Sequence, residues 1–422
     1  MKFVLASYGS RGDVEPCAAV ARELLRRGHE VRMAVPPNLV GFANTAGLPA
    51  VAYGLDTQVV VEAQVNLATF FSRNFWRIPD LIRSWRELWQ LDRQCWREMS
   101  TTLTSLAEGA DLLATSVSFE HPPANIAEYY RIPLATLHHL PARPNSQLLP
   151  FLPAPLARSA MAVYDWLGWR LEKTTEDTQR RELGLPKTTG PSPRRIAERG
   201  SLEIQAYDEV CFPGLAAEWT KWNGRRPFVG PLTMELPTAA DDEVASWIAA
   251  GTPPIFFGFG STPVESPADT LAMISAACTQ LGERALVCSA ESDFSDVPQL
   301  EHVKVVGTMN YAAAFPACRA VVHRGGAGTT AAGLRAGVPQ LIFSADPGQM
   351  LFGAQVKRLK VGTARRFSRL TQKSLVADLR RILAPQYVAR AREIATRMTK
   401  ATESVAAAAD LLEDFARQRR FG

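Results

Sequence analysis

The residues best suited to chemistry stand at 323–330, His-Arg-Gly-Gly-Ala-Gly-Thr-Thr. An apolar run at 320–322 precedes them and a helix-forming run at 331–336 follows. A strand, a glycine-rich turn and a helix in that order bring unpaired backbone N–H groups and the positive end of a helix dipole to one point, which suits a phosphate. His323 adds an imidazole, and Thr329 and Thr330 add hydroxyls. The expected ligand is a phosphorylated molecule, although the threonines could simply cap the helix and His323 could be a core histidine.

A second turn, Tyr8-Gly-Ser-Arg-Gly-Asp-Val-Glu-Pro16, follows the first apolar run. Asp13 has two readings there. It suits the N-cap of a helix, with Pro16 tolerated in the first turn. It is also a carboxylate at the mouth of a sheet, where ligands bind, and a carboxylate can take a proton from an attacking alcohol. The G-x-G-x-x-G fingerprint is absent, and the run 31–35 ends without an acidic residue for a ribose, so a nicotinamide enzyme fits poorly. No GxxxxGK[ST] occurs, which excludes a P-loop. Gly260-Ser261 closes another apolar run and reads either as a phosphate approach or as a plain turn. The loop Gly307-Thr-Met-Asn-Tyr311 should lie beside the glycine-rich turn and could hold a base edge.

These turns need a scaffold, and the hydrophobic pattern supplies one. Strand-like runs at 3–6, 31–35, 112–114 and 133–137 alternate with helical stretches, the first helix being expected at 14–27. A second series has strands at 255–259, 285–288, 303–306, 320–322 and 340–343, with a helix at 268–281. Alternation of this kind implies parallel sheets, so the fold class is α/β in two halves. The expected division is a first domain over 1–228, a linker over 229–240, a second domain over 241–400, and a helical tail over 401–422 that crosses back onto the first. Prolines punctuate the linker, and Asp241 could cap the helix that ends near 249.

The 422 residues carry a formal net charge of +5 and 46% hydrophobic residues. That mild basicity fits an anionic ligand or a membrane surface and carries no nucleic-acid signature. The six cysteines are scattered without a CxxC, which suggests reduced thiols and neither a disulfide framework nor a zinc site. No signal peptide and no apolar run of transmembrane length is evident, so the expected localisation is cytoplasmic, with at most peripheral contact at the inner face of the plasma membrane. Residues 59–105 hold Phe70, Phe71, Phe75, Trp76, Trp85, Trp89 and Trp96. Leu81, Trp85, Leu88, Cys95 and Met99 fall on helical spacing, as for an amphipathic helix over a sheet. The aromatics could instead wall a pocket for an apolar acceptor. Arg73, Arg77, Arg83, Arg86, Arg93 and Arg97 among them would suit a membrane-adjacent surface, though acidic residues nearly balance them.

Three segments resemble the bacterial nucleotide-sugar glycosyltransferases of the GT-B fold, including those that decorate glycopeptide antibiotics and the sterol glucosyltransferases: GSRGDVEP at the N-terminal turn, DTQRRELGLP at 177–186 and HRGGAGTTAAGLRAGVPQ at 323–340. VPPNLVGFANTAGL and GSLEIQAYDEVCFPGLAAEW look closer to mycobacterial glycosyltransferases of glycolipid and glycopeptidolipid assembly. The resemblance implies two Rossmann-like domains facing a cleft, the first binding an acceptor and the second a nucleotide sugar, and an inverting reaction without a metal or other cofactor. It implies that Asp13 is the general base. His323, Gly325, Gly326, Ala327, Gly328, Thr329 and Thr330 would hold the diphosphate, Ser10, Arg11, Gly12 and Ser261 would lie along the donor, and the backbone around Met309 would meet the nucleobase.

One departure bears on the sugar. Relatives often carry an Asp-Gln pair that grips sugar hydroxyls. Here Gln349 supplies the amide, Gly348 takes the acid's place, and Asp346 stands two residues earlier. A missing carboxylate fits a 6-deoxy sugar, so the expected donor is dTDP-rhamnose or dTDP-6-deoxytalose and the acceptor a lipopeptide or glycolipid. The rival readings are a UDP-glucose-dependent transferase of a sterol-like or polyketide aglycone, and a non-catalytic nucleotide-sugar-binding subunit that activates a partner.

Overall fold

The computed structural model describes the chain except residues 64–77, 150, 223, 261–265, 290–293, 295–299 and 421–422, with backbone alone at 78–82, 347 and 419–420. The chain divides into two units. The first comprises 1–207, 214–234 and 401–422, and the second 208–213 and 235–400.

Each unit is built on a six-stranded parallel sheet, the α/β class that the alternating pattern predicts. In the first unit β1 (Lys2–Ala6), β2 (Glu30–Val35), β3 (Ala50–Ala52), β4 (Leu112–Ser116), β5 (Leu134–His138) and β6 (Leu202–Gln205) lie in the order β3-β2-β1-β4-β5-β6. Strand β1 pairs with both β2 and β4, Phe3 standing opposite Val31 and Leu112. In the second unit β7 (Ile255–Gly258), β8 (Ala285–Cys288), β9 (Val303–Val306), β10 (Ala320–His323), β11 (Gln340–Ser344) and β12 (Gly362–Arg366) take the order β12-β11-β10-β7-β8-β9. Strand order therefore reverses between β1 and β4 in one sheet and between β7 and β10 in the other. In open parallel sheets the crevice beyond the strand ends at such a reversal is where ligands bind.

Three strands escape the apolar pattern. Strand β3 is a three-residue edge, and β12 ends on Arg365 and Arg366. Strand β6, Leu-Glu-Ile-Gln, is buried throughout, and its polar Glu203 breaks the apolar run. Glu203 is tolerated because Arg143 and Arg226 both bind its carboxylate. Arg143 also grips Glu120 through two bonds of 2.7 and 2.9 Å. A buried carboxylate persists when it is paired and hydrogen-bonded in this way. The network ties β6 to Arg226 and to the segments that leave β4 and β5.

The helix Ile78–Ala107 covers the first sheet with Cys95, Met99 and Leu103, which pack with Tyr8 and Tyr53. Trp96 is buried and donates to Gln179 at 2.9 Å, whereas Trp85 is exposed. Phe70, Phe71, Phe75 and Trp76 lie outside the described residues. The C-terminal helix Ala401–Arg420 packs on the first helix, Arg11–Arg26, within the first unit. Arg27 reaches Asp410 at 2.6 Å and Glu413 at 3.0 Å. The second core gathers Phe257, Ile274, Val287, Val322, Leu341 and Leu379 around its sheet.

Candidate active site

One cluster of candidate residues lies at the β1/β4 reversal of the first unit. The first helix spans Arg11–Arg26 and so begins three residues before the expected start at Val14. Gly9 carries the chain out of β1 at φ +135°, a conformation open chiefly to glycine. Ser10 then adopts extended backbone and is the N-cap. Asp13 is consequently not the N-cap but the third residue of the first turn. Its Oδ2 accepts from the Ser10 amide at 2.9 Å and from the Ser10 hydroxyl at 3.1 Å. This reach back to the cap satisfies one orphan amide, and a carboxylate there also opposes the helix dipole favourably. The other oxygen, Oδ1, accepts from Ser118 Oγ at 2.7 Å and lies 3.9 Å from His139 Nε2.

Ser118 and His139 carry no sequence signal of their own. Ser118 follows β4 and His139 follows β5, and only the sheet order brings those strand ends toward Asp13. Phe119, next to Ser118, has φ +57° and packs edge-on to Tyr8 with ring centroids 4.9 Å apart. A left-handed non-glycine residue is strained, and such positions cluster at sites that need fixed geometry. Gly12 follows Arg11 in the first turn, and Arg11 pairs with Glu15 at 3.2 Å and lies over the Phe42 ring at 4.7 Å.

A second cluster lies at the β7/β10 reversal of the second unit. His323 ends β10 between Gly258 of β7 and Ile342 of β11. Its Nε2 meets Gln340 Oε1 at 2.8 Å, and its Nδ1 accepts from the Gly325 amide at 3.1 Å. An acceptor at Nδ1 assigns the proton to Nε2, so the ring is the neutral tautomer and both nitrogens are engaged. Burial pushes its pKa down to about 4, partly opposed by the bond to Gln340. Gln340, fully buried, also donates to the Thr330 carbonyl at 3.1 Å. One buried amide thus anchors both the imidazole and the first turn of the next helix.

That helix spans Ala327–Ala336, with Gly326 as its N-cap. The amides of Ala327, Gly328 and Thr329 precede the first intrahelical acceptor and are the donors a phosphate would meet. Thr330 is drawn inward: its amide and its hydroxyl both donate to the Gly326 carbonyl, at 2.9 and 2.8 Å. Gly325 has φ +95°, and a Cβ there would stand 2.9 Å from Ile342 Cγ2 and 3.0 Å from the Gln349 carbonyl. Arg324, to which the sequence assigns no role, is buried beside the turn with its guanidinium 4.3 Å from the Phe367 ring centre. Burial lowers its pKa, while Asp346 opposes that shift.

The remaining candidates fall around this turn or outside view. Asp346 is the N-cap of the helix Pro347–Arg358, its Oδ1 accepting from the Gln349 amide at 2.9 Å. Gln349 in turn accepts from the Ala345 amide at 2.8 Å. A Cβ at Gly348 would stand 3.2 Å from Asp346 Oδ1. Met309 has its side chain in the core with Phe256 and Phe315, which leaves its backbone for any ligand contact. Asp241 is not the cap of its helix but its first residue; its carboxylate binds Thr238 and the Asn310 amide and so pins the 307–311 loop. Ser261 lies outside the described residues. Among the described residues no cluster of three His, Cys, Asp or Glu side chains could hold a metal ion, and no helix is long and apolar enough to cross a membrane.

Two doubly wound parallel sheets with chemistry at both strand reversals are the architecture of GT-B glycosyltransferases. Comparison with known proteins agrees. Residues 3–145 match the glycosyltransferase family 28 N-terminal domain, and residues 264–413 match the erythromycin biosynthesis protein CIII-like C-terminal domain. The chain is 60% identical over its full length, and over the full length of the relative, to an uncharacterised glycosyltransferase of Mycobacterium tuberculosis. It is 28% identical to an Arabidopsis thaliana sterol 3-beta-glucosyltransferase, covering 97% of this chain and 67% of that one. The glycosyltransferase of kitacinnamycin has the same fold, with TM-score 0.66, 16% identity and 98% and 99% of the two chains covered. So has the spinosyn rhamnosyltransferase complexed with thymidine diphosphate, with TM-score 0.64, 15% identity and 97% and 100% covered. The chain belongs to the GT-B bacterial glycosyltransferases and is a transferase enzyme.

Proposed function

We propose that this enzyme is an inverting, metal-independent transferase that moves a 6-deoxyhexose, rhamnose or 6-deoxytalose, from a dTDP-sugar to a hydroxyl of a lipopeptide or glycolipid acceptor in cell-envelope glycopeptidolipid assembly. The observation that carries the chemistry is the Asp13 carboxylate, fixed by Ser10 and Ser118 at a strand reversal. On this reading Asp13 takes the proton of the acceptor hydroxyl as its oxygen attacks the anomeric carbon. The bond from that carbon to the phosphate oxygen breaks, and the departing nucleoside diphosphate gathers negative charge. The amides of Ala327, Gly328 and Thr329 at a helix N-terminus stabilise that charge without reorganising. His323 acts one step back, holding the Gly325 amide and so the path of the turn. Ser10, Arg11, Gly12 and Ser261 are assigned along the donor, the Met309 backbone to the base, and Gln349 to the sugar.

Support for a thymidine nucleotide comes from the spinosyn enzyme, whose structure holds thymidine diphosphate. Support for a deoxy sugar comes from Gly348, which offers no side chain to a sixth-carbon hydroxyl. Likeness to a sterol 3-beta-glucosyltransferase favours a second reading, glucose transfer from UDP-glucose to a sterol-like aglycone.

Calorimetry with dTDP-rhamnose and UDP-glucose separates the two, and Asp13→Asn tests the base. Asparagine keeps an oxygen for the Ser10 amide but takes no proton. The expected variant is folded, binds donor and loses turnover by about 10²- to 10⁴-fold. Wild-type turnover in that variant would remove Asp13 from the mechanism, and preference for UDP-glucose would select the second reading.

A further inference from the structure

The N-terminal half of the long helix Ala154–Glu182 presents an unusual surface. Phe151 and Tyr164 are each 78% exposed, and Leu156, Val163, Leu167 and Leu171 each expose half or more of their surface. Leu156, Val163, Leu167 and Leu171 recur at helical spacing, so they form one stripe. Isolated apolar side chains on a surface are ordinary, but a contiguous patch marks an interaction site. The acidic residue of this half, Asp165, is half-buried, whereas Arg170 is exposed.

The neighbouring helix supplies the charge. The helix Ile78–Ala107 runs beside Ala154–Glu182 in the same direction, since Gln179 bonds both Trp96 and Ser100 and Glu172 lies within electrostatic reach of Asp92. The same register sets 83–93 beside the apolar stripe. From 83 to 97 this helix exposes Arg83, Arg86, Arg93 and Arg97 against Glu87 as its exposed acid. Two tryptophans on the two helices carry a cation on their rings: Arg93 on Trp89 and Arg170 on Trp166, each at 5.7 Å. Tryptophan with a snorkelling cation belongs at the depth of lipid headgroups, with apolar side chains below it.

We infer that this face docks the enzyme on an anionic lipid bilayer, with Leu156, Val163, Leu167 and Leu171 at the acyl boundary and the arginines at the lipid phosphates. An apolar stripe flanked by cations is the pattern of a helix lying in a membrane interface. Charge decides for a bilayer over a second copy of the chain, because a two-fold contact across this face would set the arginine rows against each other. The inference stands apart from the identity of the donor.

The test is co-sedimentation of the full chain with vesicles of phosphatidylglycerol and phosphatidylcholine, and with phosphatidylcholine alone. The expected result is binding to the anionic vesicles, weakened by salt, and a loss of at least tenfold in Val163→Glu/Leu167→Glu. Both positions are exposed, so the double variant should melt with the wild type. Brominated lipid should quench the tryptophan fluorescence of the wild type, which reports insertion without any variant. Absence of binding to anionic vesicles, or equal binding by the double variant, overturns the inference. So does a wild-type dimer in sedimentation velocity that the double variant dissociates while vesicle binding is absent.

Discussion

Ser118 donates its hydroxyl to Asp13 Oδ1 across 2.7 Å, joining a residue just past β4 to one in the first turn of the helix after β1, 105 residues away in the chain. With Ser10 on the other oxygen, the carboxylate is held from both sides. Ser118→Ala should therefore lower kcat by about tenfold while leaving donor affinity unchanged, as expected when a hydrogen bond worth ~1–3 kcal/mol to a charged group is lost from a positioned side chain. Steady-state kinetics beside donor calorimetry check this; a fall in donor affinity with unchanged kcat would place Ser118 elsewhere in the mechanism.

His323 gives a pH dependence with a defined sign. Its pKa is pushed down to about 4 in the fold by burial, against about 6.5 for a free histidine. Between those values the unfolded chain binds the proton and the folded chain does not, so stability falls as pH drops through the window. The stability is fully present above about pH 6.5, and roughly 3 kcal/mol is at stake for a shift of this size. Melting of wild type and His323→Gln from pH 7 to pH 4 should show the wild type losing more stability than the variant. Parallel curves would mean that the ring is not buried neutral.

Gly325→Ala should cost both stability and donor binding. The backbone stands at φ +95°, and the new Cβ would press on Ile342 and on the Gln349 carbonyl. Alanine in a left-handed position commonly costs ~1 kcal/mol or more, and the crowding adds to it. The expected variant melts below wild type and binds thymidine diphosphate at least tenfold more weakly. Unchanged affinity would show that the turn's path does not set the phosphate site.

Gly348→Asp probes the sugar. An added Cβ meets Asp346 Oδ1 at 3.2 Å, which is tight, and brings a second carboxylate beside the first. If the missing acid selects a deoxy sugar, the variant should raise the ratio of glucose to 6-deoxyhexose transfer by about tenfold, the effect of ~1.4 kcal/mol in one hydrogen bond. Competition between the two donors measures it, and an unchanged ratio removes Gly348 from donor selection.

Nine of the twelve strands among the described residues, and the turn at 323–330, are legible in the chain because their signals are local. Apolar runs of strand length, and glycines where backbone must bend sharply, act within a few residues of where they occur. Strand β6 was hidden because Glu203 is paid for by Arg143 and Arg226, which lie 60 and 23 residues away. The start of the first helix was misplaced because Asp13 fits an N-cap as well as it fits the third residue of a first turn. Asp13 and His323 could be named from their neighbours in sequence. That Asp13 is gripped by Ser118 with His139 nearby, and that Gln340 meets the Nε2 of His323, depends on which strand ends the sheet order makes adjacent. Serine, histidine and glutamine carry no pattern that announces such partners. Local chemistry lies in the order of residues, whereas the environment that orients a carboxylate or keeps an imidazole neutral arises only when distant strands pack and exclude water.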